Sequence, residues 1–390
     1  MSILIRKHHG ETGLSGIGKL GIIGFVSAMA SALVTTIWAV YLNGFLGNSA
    51  YVGLISTFLS LIAVASYFIF IPIIEKSSKS KLYISSLAIF GISYILFSIT
   101  KNFYLFLLIA IITNIVYAVR ITSFGLMVKD KSPKNILSRN EGLMYTFGNL
   151  AWVIGPLIAG YIVSSSGTST LFIISSIFVF LALGIVILTK TKDDEKLKKA
   201  DSNIFINVKE FFKDKHRVIA YIIGSGPSFW WSLIYLFIPL YIINNNLPEL
   251  WIGYFLFAIP LPLMTLEYKF SRLAEKKGFK LFFKLGFLLA AVASLICFFI
   301  SSPYIVLSIL VLASIGLAML EPTTETYFFK ATNKKTEERF YGPFNTRIEI
   351  GGLLGKFIPS LLILILPFNS VFLIFGIAML VFFLVSFKAK

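Results

Sequence analysis

The residues of this 390-residue chain that could do chemistry are ionisable side chains inside long apolar runs: Arg120, Glu267, Glu321, Glu325, Arg347, Glu349 and Lys356. A charge in hydrocarbon is costly and persists where it meets water, a solute or a partner. Glu321 and Glu325 stand four apart, so a helix puts them on one face. Burial favours the neutral form of a carboxylate and a nearby cation favours the charged form, and a group balanced between the two can take up and release a proton. The spacing predicts that Glu321 or Glu325 pairs with Arg347, leaving the other acid and Lys356 nearer a cavity. A static network that only neutralises itself is the competing reading. Arg120 has no acid within the apolar runs of its own half. It reads as a site for an anionic substrate, as part of a proton relay, as a partner of Glu267 or Glu321, or as a structural cap.

Polar and aromatic residues beside these charges suggest a cavity wall. Asn114, Tyr117, Asn149 and Trp152 supply one face, and Trp230, Trp231 and Tyr235 another. Gly224, Gly226 and Pro227 precede the tryptophans and predict a break or hinge there, while Pro260 and Pro262 predict a kink. Single tryptophans also serve as interface anchors. Other chemistries find no support. His8, His9 and His216 lack metal-ligand spacing, and no nucleophile, base and acid come together. The single cysteine, Cys297, excludes an intrachain disulfide. Gly16, Gly18 and Gly21 fit GxGxxG, but no strand is expected before them and an apolar run follows. Neither an enzyme nor a metal or other cofactor is expected.

The elements that must hold these residues are membrane-spanning helices. The chain is 57% hydrophobic and 14% charged, with a mean hydropathy of +0.86, whereas soluble domains sit nearer about 25% charged. Twelve stretches reach the length a spanning helix needs. They run over 18–42, 50–74, 82–99, 103–128, 142–164 and 169–189, then 218–243, 250–272, 281–300, 303–329, 342–366 and 369–387. The net charge of +17 gathers in alternate links, including Lys129, Lys131, Lys134, Lys330, Lys334 and Lys335, and the opposite links hold little beyond Lys101. Positive charge stays inside, so both termini are expected in the cytoplasm and nucleic acid is not an expected partner. Residues 190–217 form a lysine-rich linker, within which Ile204, Phe205, Val208, Phe211 and Phe212 have the spacing of a helix lying on the membrane. A flexible linker is the alternative.

The chain also repeats at an offset of 200. Tyr41 and Gly53 recur as Tyr241 and Gly253, Glu75-Lys76 as Glu275-Lys276, Tyr104 as Tyr304, Arg139 and Gly142 as Arg339 and Gly342, and Gly155 as Gly355. Two like halves are a common build of secondary transporters. The link from Ile74 to Lys81 and its partner from Leu273 to Lys280, with Glu275, Lys276 and Gly278, resemble the loop signature of the major facilitator superfamily. The first copy has Ser78 where the signature has glycine, and both use Glu where Asp is commoner. Gly142, Ala151, Gly155, Pro156, Ala159 and Gly160 resemble that family's antiporter motif, with alanine for glycine at two positions. Ordinary helix packing explains the same small residues. Arg120 resembles the family's span-four arginine, although Gly125 follows at five residues and not four.

The resemblance implies an all-α membrane protein with twelve transmembrane helices in two pseudo-symmetric bundles, residues 1–189 and 218–390, joined by the 190–217 linker. It implies a monomeric, multi-pass secondary transporter of the cell membrane, moving a small molecule by alternating access. Glu75 and Glu275, with Lys76 and Lys276, would gate at helix starts near Arg139 and Arg339. Proton-coupled export of an amphipathic compound is the leading expectation. Uptake of a small polar or anionic solute on Arg120 and Lys356 is the alternative, and a receptor or partner subunit that kept the fold is a different class.

Overall fold

The structure is a computed structural model that describes residues 5–8, 11–14, 16–75, 77–132, 137–189, 204–332 and 336–389. A short antiparallel pair, β1 (Ile5–His8) and β2 (Glu11–Leu14), comes first, with Ile5 opposite Leu14. The elements that follow among the described residues are helices: α1 (Gly16–Leu46), α2 (Ser49–Glu75), α3 (Lys79–Ile99), α4 (Phe103–Asp130) and α5 (Leu137–Leu188). Then follow α6 (Ile204–Phe211), α7 (Lys215–Ser232), a π-helical turn (Leu233–Phe237) and α8 (Ile238–Asn244). The last are α9 (Leu250–Ala258), α10 (Pro260–Lys277), α11 (Phe279–Phe299), α12 (Pro303–Ala331), α13 (Glu337–Leu362) and α14 (Ser370–Ser386).

Among the described residues, nine helical runs are long and apolar enough to cross a membrane. One of them, Gly142–Leu188, has 47 residues. That is about 70 Å of helix at 1.5 Å per residue, more than twice a hydrocarbon core of about 30 Å. Gly167, with φ 81° and ψ 171°, divides it, a backbone conformation that glycine adopts without a Cβ clash. Two further helices complete the twelve expected stretches: α14, apolar but only 17 residues long, and α13, which carries the charges Arg347, Glu349 and Lys356.

The helices gather into two compact units, one of residues 1–41 and 58–199, the other of 42–57 and 200–390. In the first, α3 packs against α4 and α5. In the second, α11 packs against α12 and α14, and α7 against α12 and α13. Each unit is internally held by the same device at the same offset. The Tyr41 and Phe172 rings meet edge-on at 4.6 Å, and those of Tyr241 and Phe372 at 5.1 Å. A Cβ on Gly155 would lie 2.7 Å from that of Ala32, and one on Gly355 would lie 2.6 Å from the Phe229 carbonyl and 2.8 Å from Ser232 Oγ. These are backbone approaches that only small residues allow. The chemistry at matching positions has diverged elsewhere. Lys79 pairs with Asp130 at 2.5 Å, while Lys330 sits over the Phe279 ring at 4.6 Å.

Local signals explain the breaks. Asn102 Oδ1 accepts from the backbone of Tyr104 and Leu105 and starts α4. Asp214 Oδ1 does the same for His216 and Arg217 and starts α7, at 2.9 Å each. Gly278 ends α10 at φ 92°, whereas Ser78 begins α3 at φ −65° with its Oγ accepting from Lys81 N. The two copies of the link therefore turn differently, and this is why one needs glycine and the other uses a serine cap. Pro260 opens α10, so the predicted kink is a division between α9 and α10 at Ile259.

Candidate substrate and proton site

Glu321 projects from α12 toward α7, where the Trp231 indole N–H donates to its Oε1. The Tyr235 ring leans on Trp231 at 5.5 Å. Glu267 of α10 is near enough to Glu321 for the two carboxylates to repel one another, and no cation pairs with Glu321 among the described residues. Tyr235 lies in the π-helical turn just after Trp231. One residue more per turn rotates the side chains after Ser232 relative to those before it, and such turns recur at functional sites. The break expected at Gly224, Gly226 and Pro227 does not form there; the irregularity of this run is the π-helical turn that follows Ser232. Those three residues stay inside α7, where all three are buried.

A second cluster lies nearer the start of α13. Tyr341 donates its hydroxyl to Glu325 Oε1. Arg347 is 6% exposed and donates Nη1 to Asn345 Oδ1 at 2.8 Å and to the Phe344 carbonyl at 3.4 Å. Its guanidinium lies 3.7 Å from the centroid of the Phe344 ring, which in turn stacks on Phe328. The predicted ion pair between Arg347 and Glu321 or Glu325 does not form among the described residues. Glu325 acts on Arg347 only through its field. Tyr341 and Asn345 have taken the direct bonds: Asn345 holds Arg347 two residues along α13, and Tyr341 reaches across from α13 to Glu325 on α12. Two turns beyond, Lys356 is half-buried and coupled electrostatically to Glu349, which is exposed on the same helix.

Arg120 has a different kind of surrounding. It is 3% exposed, its Nη2 donates to Ser31 Oγ at 2.9 Å and its Nη1 to Ser27 Oγ at 3.5 Å. The Phe90 ring lies 4.2 Å below its Cζ and the Tyr117 ring 5.6 Å away. Its Nε finds no acceptor, and no carboxylate pairs with it among the described residues. A buried guanidinium is thus held by hydroxyls and π faces alone. Ser27, Ser31 and Phe90 were not legible as site residues. The one signal they gave is that Ser27 and Ser31 stand four apart on α1.

The remaining expected residues scatter. Asn114 bonds the Ala110 carbonyl of its own helix at 2.8 Å, and Asn149 is exposed. Trp152 is half-buried, and Trp230 is buried with its indole N–H lacking an acceptor. Ala151, Gly155, Pro156, Ala159 and Gly160 are buried, while Gly142 is exposed with open space around its Cα. Lys76 and the side chains of Glu75 and Arg139 lie outside the described residues. Glu275, Lys276 and Gly278 are exposed. Arg339 has other work than meeting Glu275: Nε donates to Asn207 Oδ1 and Nη2 pairs with Glu210, both at 2.6 Å. Arg217 donates to the Glu210 and Phe211 carbonyls and covers the Phe340 ring at 4.1 Å. So α6 is a formed helix, clasped by two arginines, with Phe211 fully buried. No group of three His, Cys, Asp or Glu side chains suited to a metal occurs among the described residues.

Apolar helices of spanning length that keep arginines and a carboxylate inside define a multi-pass membrane protein of the carrier kind. The sequence profile of the Major Facilitator Superfamily matches residues 20–266 and 265–389, and the chain belongs to that superfamily. It is a membrane transporter and not an enzyme. It is 21% identical over 341 residues to an uncharacterized MFS-type transporter of Methanocaldococcus jannaschii, covering 86% of this chain and 87% of the relative. Among solved structures it resembles a POT family transporter in complex with a thioalcohol-conjugated peptide, at a TM-score of 0.77 and 13% identity over 96% of this chain and 95% of the other. The nucleoside transporter NupG gives 0.73 and 16% over 97% and 100%. A bacterial homolog of the human lysosomal transporter Spinster gives 0.75 and 13% over 96% and 97%. At these identities the likeness speaks for the fold.

Proposed function

We propose that this transporter exports an amphipathic small molecule in exchange for protons. The bundles 1–189 and 218–390, joined by the 190–217 linker, would open alternately to the two sides of the membrane. The observation that carries the reading is the Trp231–Glu321 hydrogen bond with Glu267 close by. A carboxylate with an indole donor, an acidic neighbour and no paired cation among the described residues is suited to binding a proton, and protonation removes the charge that opposes movement. The flat Trp231 and Tyr235 rings beside it offer surface to an amphipathic substrate. The small-residue pattern from Gly142 to Gly160 agrees with exchange, and the positive charge of alternate loops supports both termini in the cytoplasm. The test is uptake of lipophilic fluorescent dyes into everted vesicles, with and without an imposed pH gradient. Accumulation that requires the gradient supports the reading. Equal flux in both conditions overturns proton coupling.

A second reading rests on Arg120. A guanidinium that is 3% exposed and has no acid partner among the described residues is suited to an anionic solute. Competition of the dyes by small carboxylates or phosphates would favour it.

A further inference from the structure

One face of α10 carries a concave basic cluster. Tyr268, Lys269, Arg272, Leu273 and Lys276 line a cleft of about 410 Å³ near the C-terminal end of that helix. Lys269, Arg272 and Lys276 are spaced by three and four residues, so they share a helical face. All three are exposed and none has an ion pair among the described residues. Glu275 is exposed too, but it does not line the cleft. Toward the N-terminus the same face turns apolar: Leu261 is 40% exposed, Met264 60% and Tyr268 78%. From Leu261 to Tyr268 the helix rises about 10 Å at 1.5 Å per residue.

We propose that this face of α10 binds an anionic phospholipid, its phosphate in the Lys269–Arg272–Lys276 cleft and its acyl chain along Leu261 and Met264. Unpaired cations in a concave site need a counter-anion, and phosphate suits a guanidinium flanked by two ammonium groups. The apolar track decides the source. A soluble phosphate would gain nothing from Leu261 and Met264, whereas a lipid covers both halves of the face, and Tyr268 stands at their junction with a ring for the chain and a hydroxyl for the headgroup.

The test measures retention of phosphatidylglycerol by the purified full-length protein against phosphatidylcholine, by native mass spectrometry and by thermal stabilisation. Arg272→Gln with Lys276→Gln should weaken phosphatidylglycerol binding about 25-fold, the equivalent of about 1 kcal/mol for each basic residue near a charged surface. Lys209→Gln with Lys213→Gln removes as much charge from and just after α6 and should leave binding unchanged. Equal losses in the two variants would show general surface attraction and overturn the site. Met264→Asn should weaken the lipid while leaving the headgroup cations in place. Protection by inorganic phosphate equal to that by lipid, with Met264→Asn silent, would overturn the lipid assignment. Arg272→Lys keeps the charge and guards against misfolding, since it should retain most of the binding.

Discussion

Trp231 of α7 donates its indole N–H to Glu321 of α12, and the bond ties two helices of one unit at the level of the π-helical turn. A hydrogen bond to a charged group contributes about 1.5–3 kcal/mol, and a carboxylate left without its donor bears a desolvation cost. Trp231→Phe keeps the ring and loses the donor. It should destabilise the detergent-solubilised protein in a Glu321 background and much less in a Glu321→Gln background. A double-mutant cycle on thermal unfolding should show coupling of about 1 kcal/mol or more, and additivity would show that the bond carries nothing.

The Arg120 cluster predicts a different dependence. Lysine keeps the charge but cannot reach Ser27 and Ser31 together or lie flat on Phe90. Arg120→Lys should therefore destabilise the first unit, by about 1–3 kcal/mol for the lost charge-assisted bonds. Ser31→Ala should cost about 1 kcal/mol alone and little when added to Arg120→Lys. Fully additive losses in melting curves would contradict a shared contact.

Asp214 sets an acid limb on stability. The backbone N–H of Arg217 is the largest influence holding its carboxyl below the usual carboxylate range, and the N–H of His216 and the charge of Arg217 act in the same direction against partial burial. A group whose acidity is strengthened by folding stabilises the fold above its unfolded value, and that contribution disappears as pH falls through the folded one. The cap should thus support α7 at neutral pH and fail under acid. Asp214→Ala should cost about 1 kcal/mol at neutral pH, as lost caps do, and should shrink the difference between neutral and acid melting temperatures. An unchanged acid limb in the variant would assign it to other groups.

Close approach of helices makes the small-residue positions unequal. Gly155→Val drives a side chain into Ala32 and should cost about 1–3 kcal/mol. Ala32→Gly should recover part of that loss. Gly142→Ala meets open space and should be silent. Similar losses at both glycines would mean that the pattern acts as a unit and not through packing at Gly155.

The clasp on α6 separates burial from charge. The Arg339–Glu210 pair is 41% and 39% exposed, and exposed pairs contribute about 0–1 kcal/mol. Phe211 is fully buried among Tyr221, Phe328 and Phe340. Phe211→Ala should cost about 3–5 kcal/mol, and hydrogen exchange over α6 should rise far more than for Arg339→Gln. The reverse order would make the arginine the true anchor.

Much of this architecture could be read in the chain because spanning helices announce themselves by length and apolarity, and because loops keep their punctuation. The twelve stretches and the interruption at Pro260, expected as a kink, came from such local signals. The 200-residue offset foretold the paired Gly155 and Gly355 contacts. What stayed hidden depends on rotation about helix axes. Tyr341 and Asn345 intercept the charges expected to pair, and Ser27 and Ser31 meet Arg120 from a distant part of the sequence. Periodicity cannot say which face of α1 turns toward α4, nor that α7 inserts a π-helical turn after Trp231. The clasp of Arg339 on Glu210 was equally out of reach, since it joins the linker to a helix start 129 residues later.

The central claim is that Glu321 carries the coupling proton. Its most direct test is transport in proteoliposomes by Glu321→Gln against the native protein, in driven and exchange modes. The account predicts that the variant folds, still exchanges substrate across the membrane without a gradient, and no longer accumulates it when a pH gradient is imposed. Undiminished gradient-driven accumulation by Glu321→Gln would contradict it.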